Sequence, residues 1–219
     1  MKLTGVAPSV LAADHGRLRE QVRDVLAAGA GVIHVDIMDG HFVPPLTFGP
    51  GVVSAIRELG AEFAIDVHLM VERPERHIEA FASAGANVIT LHAEATPHLN
   101  YALAAVREAG ARAGLAVCPG TPLGVYKELR GAVDVALCMT VNPGWGGQKF
   151  IPSSIEKLRR LSELVDDDAV IEVDGGVDEQ TAGPCAAAGA GLFVAGSALF
   201  GAPDPVEAYR RIAAAAARE

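Results

Sequence analysis

The sequence predicts an α/β fold, a single (β/α)8 barrel of the TIM-barrel type. Short apolar runs rich in β-branched residues alternate with helix-like segments, which is typical of parallel βα units. Eight such units fit within the 219 residues. Polar residues gather where the apolar runs end, whereas the starts of the runs are apolar. Because no linker rich in Pro, Gly or Ser interrupts the series, we expect one domain over residues 1–219.

The predicted elements follow one another without a break. Ala-Gly-Ala segments such as Ala28-Gly29-Ala30 end helices, since glycine supplies the left-handed residue that stops a helix. The last predicted helix covers residues 205–217. A doubly wound open sheet is the alternative fold, although no GxGxxG turn follows the first strand. The predicted strands lie near residues 4–9, 32–37, 63–69, 87–92, 113–118, 133–141, 169–174 and 191–196.

Composition excludes several classes of protein. No run of 18 apolar residues exists, so no membrane span is expected. The net charge of −9 argues against nucleic acid or an anionic membrane as a partner. Cys118, Cys138 and Cys185 are scattered, as expected of small buried side chains in a reducing compartment. Since the first residues lack the features of a signal peptide, we expect a cytoplasmic protein.

Pairs of polar residues interrupt three of the apolar runs. His34 and Asp36 lie two residues apart, so both point to the same face of a strand. The second and third pairs repeat this spacing; they are Asp66 with His68 and Glu172 with Asp174. A buried charge is costly unless it is paired or bound to a metal.

Two imidazoles and two carboxylates at strand ends predict a site for one divalent metal ion. A mixed nitrogen and oxygen ligand set suits Zn²⁺, Fe²⁺, Mn²⁺ or Co²⁺ better than Mg²⁺ or Ca²⁺. The alternative, that His34 and His68 are core histidines with satisfied hydrogen bonds, does not explain why all four lie at matching strand ends. The predicted ligands are His34, Asp36, His68 and Asp174.

Asp66 and Glu172 precede two of these ligands by two residues each. They could hold the ligands in place, because ligating groups usually have such hydrogen-bond partners. Alternatively, they form buried ion pairs with Lys or Arg. The sequence does not decide between the two interpretations.

Asp36 and Asp174 belong to the second and seventh predicted strands, so they would flank anything bound between them. Carboxylates on opposite sides suit acid–base chemistry on the two faces of one carbon. One would remove a proton and the other would return one to the opposite face, while a metal stabilises the oxyanion formed in between. The product of such a reaction is the epimer.

Three glycine-rich turns follow the sixth, seventh and eighth predicted strands. Turns of this kind present backbone N–H groups to an anion, and barrels frequently bind phosphate after strands seven and eight. Met38 and Met70 share the face of Asp36 and His68. Taken alone, these methionines suit gap-filling in the core better than a cover over a substrate.

Several long motifs resemble ribulose-phosphate 3-epimerases, over residues 7 to about 200. They are Pro8-Ser-Val-Leu-Ala-Ala-Asp14, His34-Val-Asp-Ile-Met-Asp-Gly-His-Phe-Val-Pro44, His68-Leu-Met70, Val141-Asn-Pro-Gly-Trp-Gly-Gly-Gln148 and Glu172-Val-Asp-Gly-Gly-Val177. The resemblance implies a ribulose-phosphate-binding barrel that interconverts D-ribulose 5-phosphate and D-xylulose 5-phosphate through an enediolate, in pentose phosphate metabolism. It also suggests a homo-oligomer.

The resemblance further implies roles for individual residues. Asp36 and Asp174 correspond to the acid/base pair, and the four predicted ligands correspond to the metal site. Ser9 and His68 correspond to substrate contacts. Asp174 also corresponds to a substrate contact. Residues on the phosphate side correspond to Gly144, Trp145, Gly146, Gly147, Gly175, Gly176, Gly196 and Ser197. A cap of methionines over the substrate corresponds to Met38, Met70 and Met139.

Two residues depart from the family pattern. Trp145 stands where Phe is usual, and a larger ring in a loop expected to act as a lid could change its closure. Pro45 stands where Asn is usual and stiffens the loop after the second strand. Neither position belongs to the predicted ligands or to the acid/base pair.

Three rival functions stay open. An epimerase for a six-carbon ketose phosphate would share the chemistry and differ only in pocket length. A metal-dependent or Schiff-base aldolase would need another ligand set or a lysine at a strand end, and no predicted strand ends in Lys. A binding or scaffold protein on the same fold would leave the four ligands and the two carboxylates without a purpose.

Overall fold

The computed structural model of the chain describes residues 3–217. Its eight parallel strands make one sheet and lie within three residues of the predicted bounds. They are β1 (Gly5–Pro8), β2 (Val32–Met38), β3 (Ala64–Met70), β4 (Val88–His92), β5 (Arg112–Val117), β6 (Val135–Met139), β7 (Val170–Asp174) and β8 (Leu192–Ala195).

The sheet closes into a barrel. Its strand order is β1-β8-β7-β6-β5-β4-β3-β2, and every neighbouring pair is parallel. A parallel bridge between Ser9 and His34 then joins the end of β1 to β2. The predicted (β/α)8 barrel is therefore confirmed, and the open, doubly wound alternative is wrong.

Helices cover the outside of the barrel. They are α1 (Leu18–Ala27), α2 (Pro50–Arg57), α3 (Ile78–Ser83), α4 (Leu99–Glu108), α5 (Gly124–Glu128), α6 (Ser154–Ser162), α7 (Ala182–Ala187), α8 (Ser197–Phe200) and α9 (Pro205–Ala216). Short 3₁₀ helices cover Val10–Ala12, His15–Arg17 and Pro74–Arg76. Gly29, which follows α1, has a φ of 108°, as expected of a helix-ending glycine. Within residues 3–217, no helix has the length and apolar character needed to cross a bilayer.

Side chains alternate between two faces along each strand. In β2, Ile33 and Val35 pack outward in the main core shared with the helices, whereas Val32 packs inward in a separate apolar layer. The inward layer contains the first residues of several strands, so the amino end of the barrel is filled. His34 and Asp36 share the inward face with Val32 but lie nearer the carboxyl end. In β2, the inward-facing polar side chains therefore lie beyond this apolar layer, towards the carboxyl end of the barrel.

All three cysteines are free. Cys138 and Cys185 are buried, as predicted, and Cys118 is partly exposed.

Candidate active site

The register between β2 and β3 brings the first two polar pairs side by side. His34 lies level with Asp66, Asp36 with His68 and Met38 with Met70. These positions share one face of the pleated sheet, inside the barrel. Asp174, the last residue of β7, reaches the same place from another side of the barrel.

The four predicted ligands converge. Asp36 Oδ1 lies 3.3 Å from His34 Nε2 and 3.1 Å from His68 Nδ1. The same nitrogen of His68 lies 3.5 Å from Asp174 Oδ2. One ligand atom from each of the four residues lies within 4.8 Å of all the others. The two imidazoles and two carboxylates therefore fit a divalent cation both in their chemistry and in their spacing.

The other ring nitrogen of His34 faces the interior. His34 Nδ1 lies 2.6 Å from Asp66 Oδ2 and 3.4 Å from Glu172 Oε1. A proton on Nδ1 donated to Asp66 leaves the lone pair of Nε2 directed at the four-ligand site. Within residues 3–217, neither acid contacts a Lys or Arg, so the interpretation as ion pairs with those residues is wrong.

Burial and the neighbouring charges shift the pKa values of the site in opposite directions. Burial would lower the pKa of His34, but the carboxylates of Asp36 and Asp66 raise it well above its ordinary value. Burial likewise opposes protonation of His68, yet its contacts with Asp174 and Asp36 raise its pKa to about 9. The two histidines hold the pKa of Asp36 well below its ordinary value despite burial. The site thus keeps Asp36 ionised next to two imidazoles that bind a proton more readily than a free histidine does.

The surroundings of Glu172 disfavour its ionised form. Burial, and then the negative charge of Asp66, raise the pKa of Glu172 well above its ordinary value. Both effects favour the neutral carboxyl form of Glu172 over the ionised form.

Two hydroxyl groups fix Asp36 from outside the ligand set. Ser9 Oγ donates to Asp36 Oδ2 at 2.6 Å, in accord with the predicted proximity of Ser9 to the site. Thr47 Oγ1 donates to the backbone oxygen of Asp36 at 2.7 Å and accepts from Met38 N at 2.9 Å. Sequence reasoning missed Thr47, because it lies in the loop after β2 and has no spacing that links it to the strand.

A cavity that opens to solvent lies over the carboxyl end of the barrel. Asp36 and Asp174 line it, whereas His34 and His68 lie outside its lining and are fully buried. Among residues 3–217, no Lys or Arg lines this cavity. The remaining residues predicted to contact substrate all line it; they are Ser9, Met38, Met70, Met139, Gly144, Trp145, Gly146, Gly147, Gly175, Gly176, Gly196 and Ser197.

The glycine turns are built for close backbone approach. Gly176 has a φ of 65°, and a Cβ atom there would lie 2.6 Å from the backbone nitrogen of Phe150. A Cβ atom on Gly175 would meet Val141 at 2.3 Å. Both glycines line the cavity, and glycine-rich turns commonly bind anions through their backbone N–H groups.

The loop after β6 stands over the cavity. Gln148 Nε2 donates to the backbone oxygens of Asn142 at 2.6 Å and Trp145 at 3.0 Å, which closes the loop on itself. Trp145 is 54% exposed. Its ring is therefore largely in water in this state of the loop.

Comparisons with known proteins identify the family of the chain and support its fold. A model described as the ribulose-phosphate 3 epimerase family matches residues 5–200. The chain belongs to the ribulose-phosphate 3-epimerase family. A ribulose-phosphate 3-epimerase of Escherichia coli (strain K12) is 48% identical over 207 residues, which cover 93% of this chain and 92% of that protein. One of Bacillus subtilis (strain 168) is 46% identical over 211 residues, with 94% and 97% covered.

Solved structures of more distant proteins share the fold. A 3-hexulose-6-phosphate synthase from Salmonella typhimurium superposes with a TM-score of 0.74 at 18% identity, covering 97% of this chain and 98% of that one. At this identity the likeness shows the barrel alone.

Membership of the ribulose-phosphate 3-epimerase family confirms the resemblance predicted from the motifs. It identifies the chain as an epimerase of sugar phosphate metabolism. The aldolase and the non-catalytic scaffold, which were the more distant alternatives, are accordingly wrong.

Proposed function

We propose that the chain interconverts D-ribulose 5-phosphate and D-xylulose 5-phosphate at C3 through an enediolate, with Asp36 and Asp174 as the acid/base pair. One observation carries the proposal. Carboxylates from β2 and β7 approach the same nitrogen of His68, and along the barrel wall β8 and β1 separate the two strands. They therefore reach a bound sugar from different directions.

Each carboxylate serves one face of C3. In one direction of the reaction, the first carboxylate removes the C3 proton and the second delivers a proton to the opposite face. The reverse reaction exchanges the two roles. Ser9 supports this by fixing the Oδ2 atom of Asp36, so that its carboxylate keeps one orientation through both steps.

His34, Asp36, His68 and Asp174 would hold one divalent cation, Zn²⁺, Fe²⁺, Mn²⁺ or Co²⁺. When bound, such a cation supplies positive charge that stabilises the oxyanion developing as the C3 proton leaves. Asp66 contributes by holding His34 in the tautomer that directs Nε2 towards the site.

The far end of the cavity suits the phosphate group. Backbone N–H groups of the turns at Gly144–Gly147, Gly175–Gly176 and Gly196–Ser197 would bind it, since no Lys or Arg of the described residues lines the cavity. Met38, Met70 and Met139 are buried yet line the same cavity, so their thioethers would cover the planar enediolate. Trp145 would close over the cavity with its loop.

We also propose a location and partners for the protein. The protein acts on a small sugar phosphate in the cytoplasm, without nucleic acid or a membrane as partner, and assembles as a homo-oligomer. Its net charge of −9 supports the exclusion of anionic polymers and surfaces.

A substrate and metal assay tests the proposal. Protein stripped of metal with a strong chelator is assayed before and after addition of each of the four cations, with D-ribulose 5-phosphate, the free pentulose and a six-carbon ketose 6-phosphate. We expect activity only with added cation and a strong preference for the pentulose phosphate. Activity of fully stripped protein would contradict the metal site, equal kcat/KM on the free sugar would contradict the phosphate cradle, and preference for the hexulose phosphate would contradict the substrate.

A further inference from the structure

His92 lies behind His68, on the side away from the four-ligand site. His92, the last residue of β4, is fully buried, and its Nε2 atom lies 2.8 Å from His68 Nε2. The ring centroids are 4.9 Å apart and the ring planes differ by 28°. Because the two nitrogens are far closer than the centroids, the rings meet edge to edge. This is the geometry of an N–H···N hydrogen bond and not of face-to-face stacking.

The far side of His92 meets a carboxylate. His92 Nδ1 lies 3.2 Å from Glu94 Oε2. The other oxygen of Glu94 accepts from the backbone N–H of Cys118 at 2.8 Å and from the hydroxyl group of Thr121. Glu94 is thereby fixed from two sides, and only its Oε2 atom remains for His92.

His68, His92 and Glu94 are linked in series, so the position of the proton on one ring determines its position on the next. If His68 Nδ1 binds the cation, the proton of the neutral ring is on Nε2 and is donated to His92 Nε2. His92 must then carry its own proton on Nδ1, where Glu94 Oε2 accepts it. Every donor thus meets an acceptor, and the order runs from His68 through His92 to Glu94.

We infer that His92 and Glu94 are positioning residues, which hold His68 in the tautomer and ring orientation that direct Nδ1 at the cation. The inference rests on the proposed function, because it requires a cation at the four-ligand site. It extends to His68 what Asp66 does for His34, with the difference that the carboxylate acts through an intervening imidazole.

The same atoms could be taken for a second cation site. His92 Nδ1, Glu94 and Cys118 Sγ lie within 4.8 Å of one another, and Cys118 Sγ is 3.6 Å from His92 Nδ1. A cation on Nδ1 would, however, place the proton of His92 on Nε2, directly facing the proton on His68 Nε2. The two arrangements exclude each other, so an experiment separates them.

Three variants separate positioning from mere packing. His92→Leu removes the acceptor for His68, whereas His92→Gln places an amide oxygen near the former Nε2 atom. Cys118→Ala is the matched control, because it alters the same pocket and leaves the backbone N–H that binds Glu94. Binding of Co²⁺ to stripped protein is followed through its visible absorption, alongside the thermal unfolding of each stripped variant.

We expect His92→Leu to weaken Co²⁺ binding by about 10- to 100-fold, the usual effect of losing such a partner. His92→Gln should recover much of this loss, and Cys118→Ala should bind as the unaltered protein does. Equal Co²⁺ affinity for His92→Leu and the unaltered protein would overturn the inference while leaving the proposed function intact. An unaltered protein that binds no Co²⁺ at the four-ligand site would instead overturn the proposed function.

Nitrogen NMR of the unaltered, Zn²⁺-loaded protein supplies a test that needs no variant. We expect His92 as the tautomer with its proton on Nδ1 and His68 with its proton on Nε2. A His92 protonated on Nε2, or a second Zn²⁺ equivalent that Cys118→Ala abolishes, would overturn the inference in favour of the second cation site.

Discussion

His34 presents Nε2 to the four-ligand site because its Nδ1 atom lies 2.6 Å from Asp66 Oδ2. Replacing Asp66 by Asn leaves an acceptor but removes the charge that orients the ring. We expect Asp66→Asn to weaken divalent cation binding by about 10- to 100-fold, as measured by titration of stripped protein.

Asp134→Asn is the control for this variant. Asp134 accepts from Ala113 N at 2.7 Å and binds Arg107, but it precedes β6 at the other end of the barrel. It should lower stability without changing cation affinity. Unchanged affinity in Asp66→Asn would show that the ring of His34 needs no such partner.

Gly176→Ala tests the phosphate cradle. Its φ of 65° is unfavourable for alanine by about 1–2 kcal/mol, and the new methyl group would push against Phe150 N. We expect the turn to shift to relieve this clash, which would misplace its N–H groups and raise KM for the sugar phosphate about tenfold, the equivalent of about 1.4 kcal/mol of binding. Gly191→Ala, where a Cβ atom meets nothing within 4 Å, is the control. A variant of Gly176 with normal KM would remove this turn from the binding site.

Trp145 reports on the loop after β6, because it is the only tryptophan of the chain. Its ring is 54% exposed, and closure over a ligand would take it out of water. We expect a blue shift of its fluorescence when the sugar phosphate is added, and a much smaller one with the free sugar at equal concentration. An unchanged spectrum at saturating sugar phosphate would show that the loop does not act as a lid.

The stability of the fold should depend on Glu94 in acid. Burial would raise the pKa of Glu94, but its hydrogen bonds with His92, Thr121 and Cys118 N lower it to about 2 from 4.5. Because the folded state binds this proton less readily, the stabilisation is complete above about pH 4.5 and is lost as the pH falls towards 2. Its size is about 1–3 kcal/mol, since one pKa unit is about 1.4 kcal/mol and the side chain is 26% exposed.

Denaturant unfolding of the unaltered protein and Glu94→Gln between pH 6 and pH 2.5 measures this effect. The difference in unfolding free energy between the two should shrink as the pH falls through that window. Glu156→Gln, at an exposed glutamate, corrects for the loss of one surface charge. A difference that stays constant with pH would contradict the depressed pKa.

The barrel could be predicted from periodicity. The sixth strand was predicted to be longer than it is, for a physical reason. Residues 133–141 were predicted as one strand, but β6 covers only Val135–Met139. Val133 and Val141 still pack against the hydrophobic clusters after the strand pairing has ended. Hydrophobicity therefore continues beyond the hydrogen-bonded ladder, and sequence pattern alone does not show where pairing stops.

The ligands could be predicted because spacing by two places side chains on one face. The different distances of Asp66 and Glu172 from His34 could not be predicted, since both residues precede a ligand by two positions. Only the register of β2 on β3 places Asp66 within 2.6 Å of His34. His92 and Glu94 have the same spacing as His34 and Asp36, so the sequence also indicates that these two side chains share one face at a strand end.

Division of the two faces between Asp36 and Asp174 is the central claim. Incubation of Asp36→Asn and Asp174→Asn, each with its cation content verified, in deuterated water with either epimer tests it most directly. We expect epimerisation to fall by about 100- to 10,000-fold in both variants. Each variant should still exchange the C3 proton of one epimer only, and the two should differ in which epimer that is. Full epimerisation by either variant, or exchange of both epimers by one of them, would contradict the account.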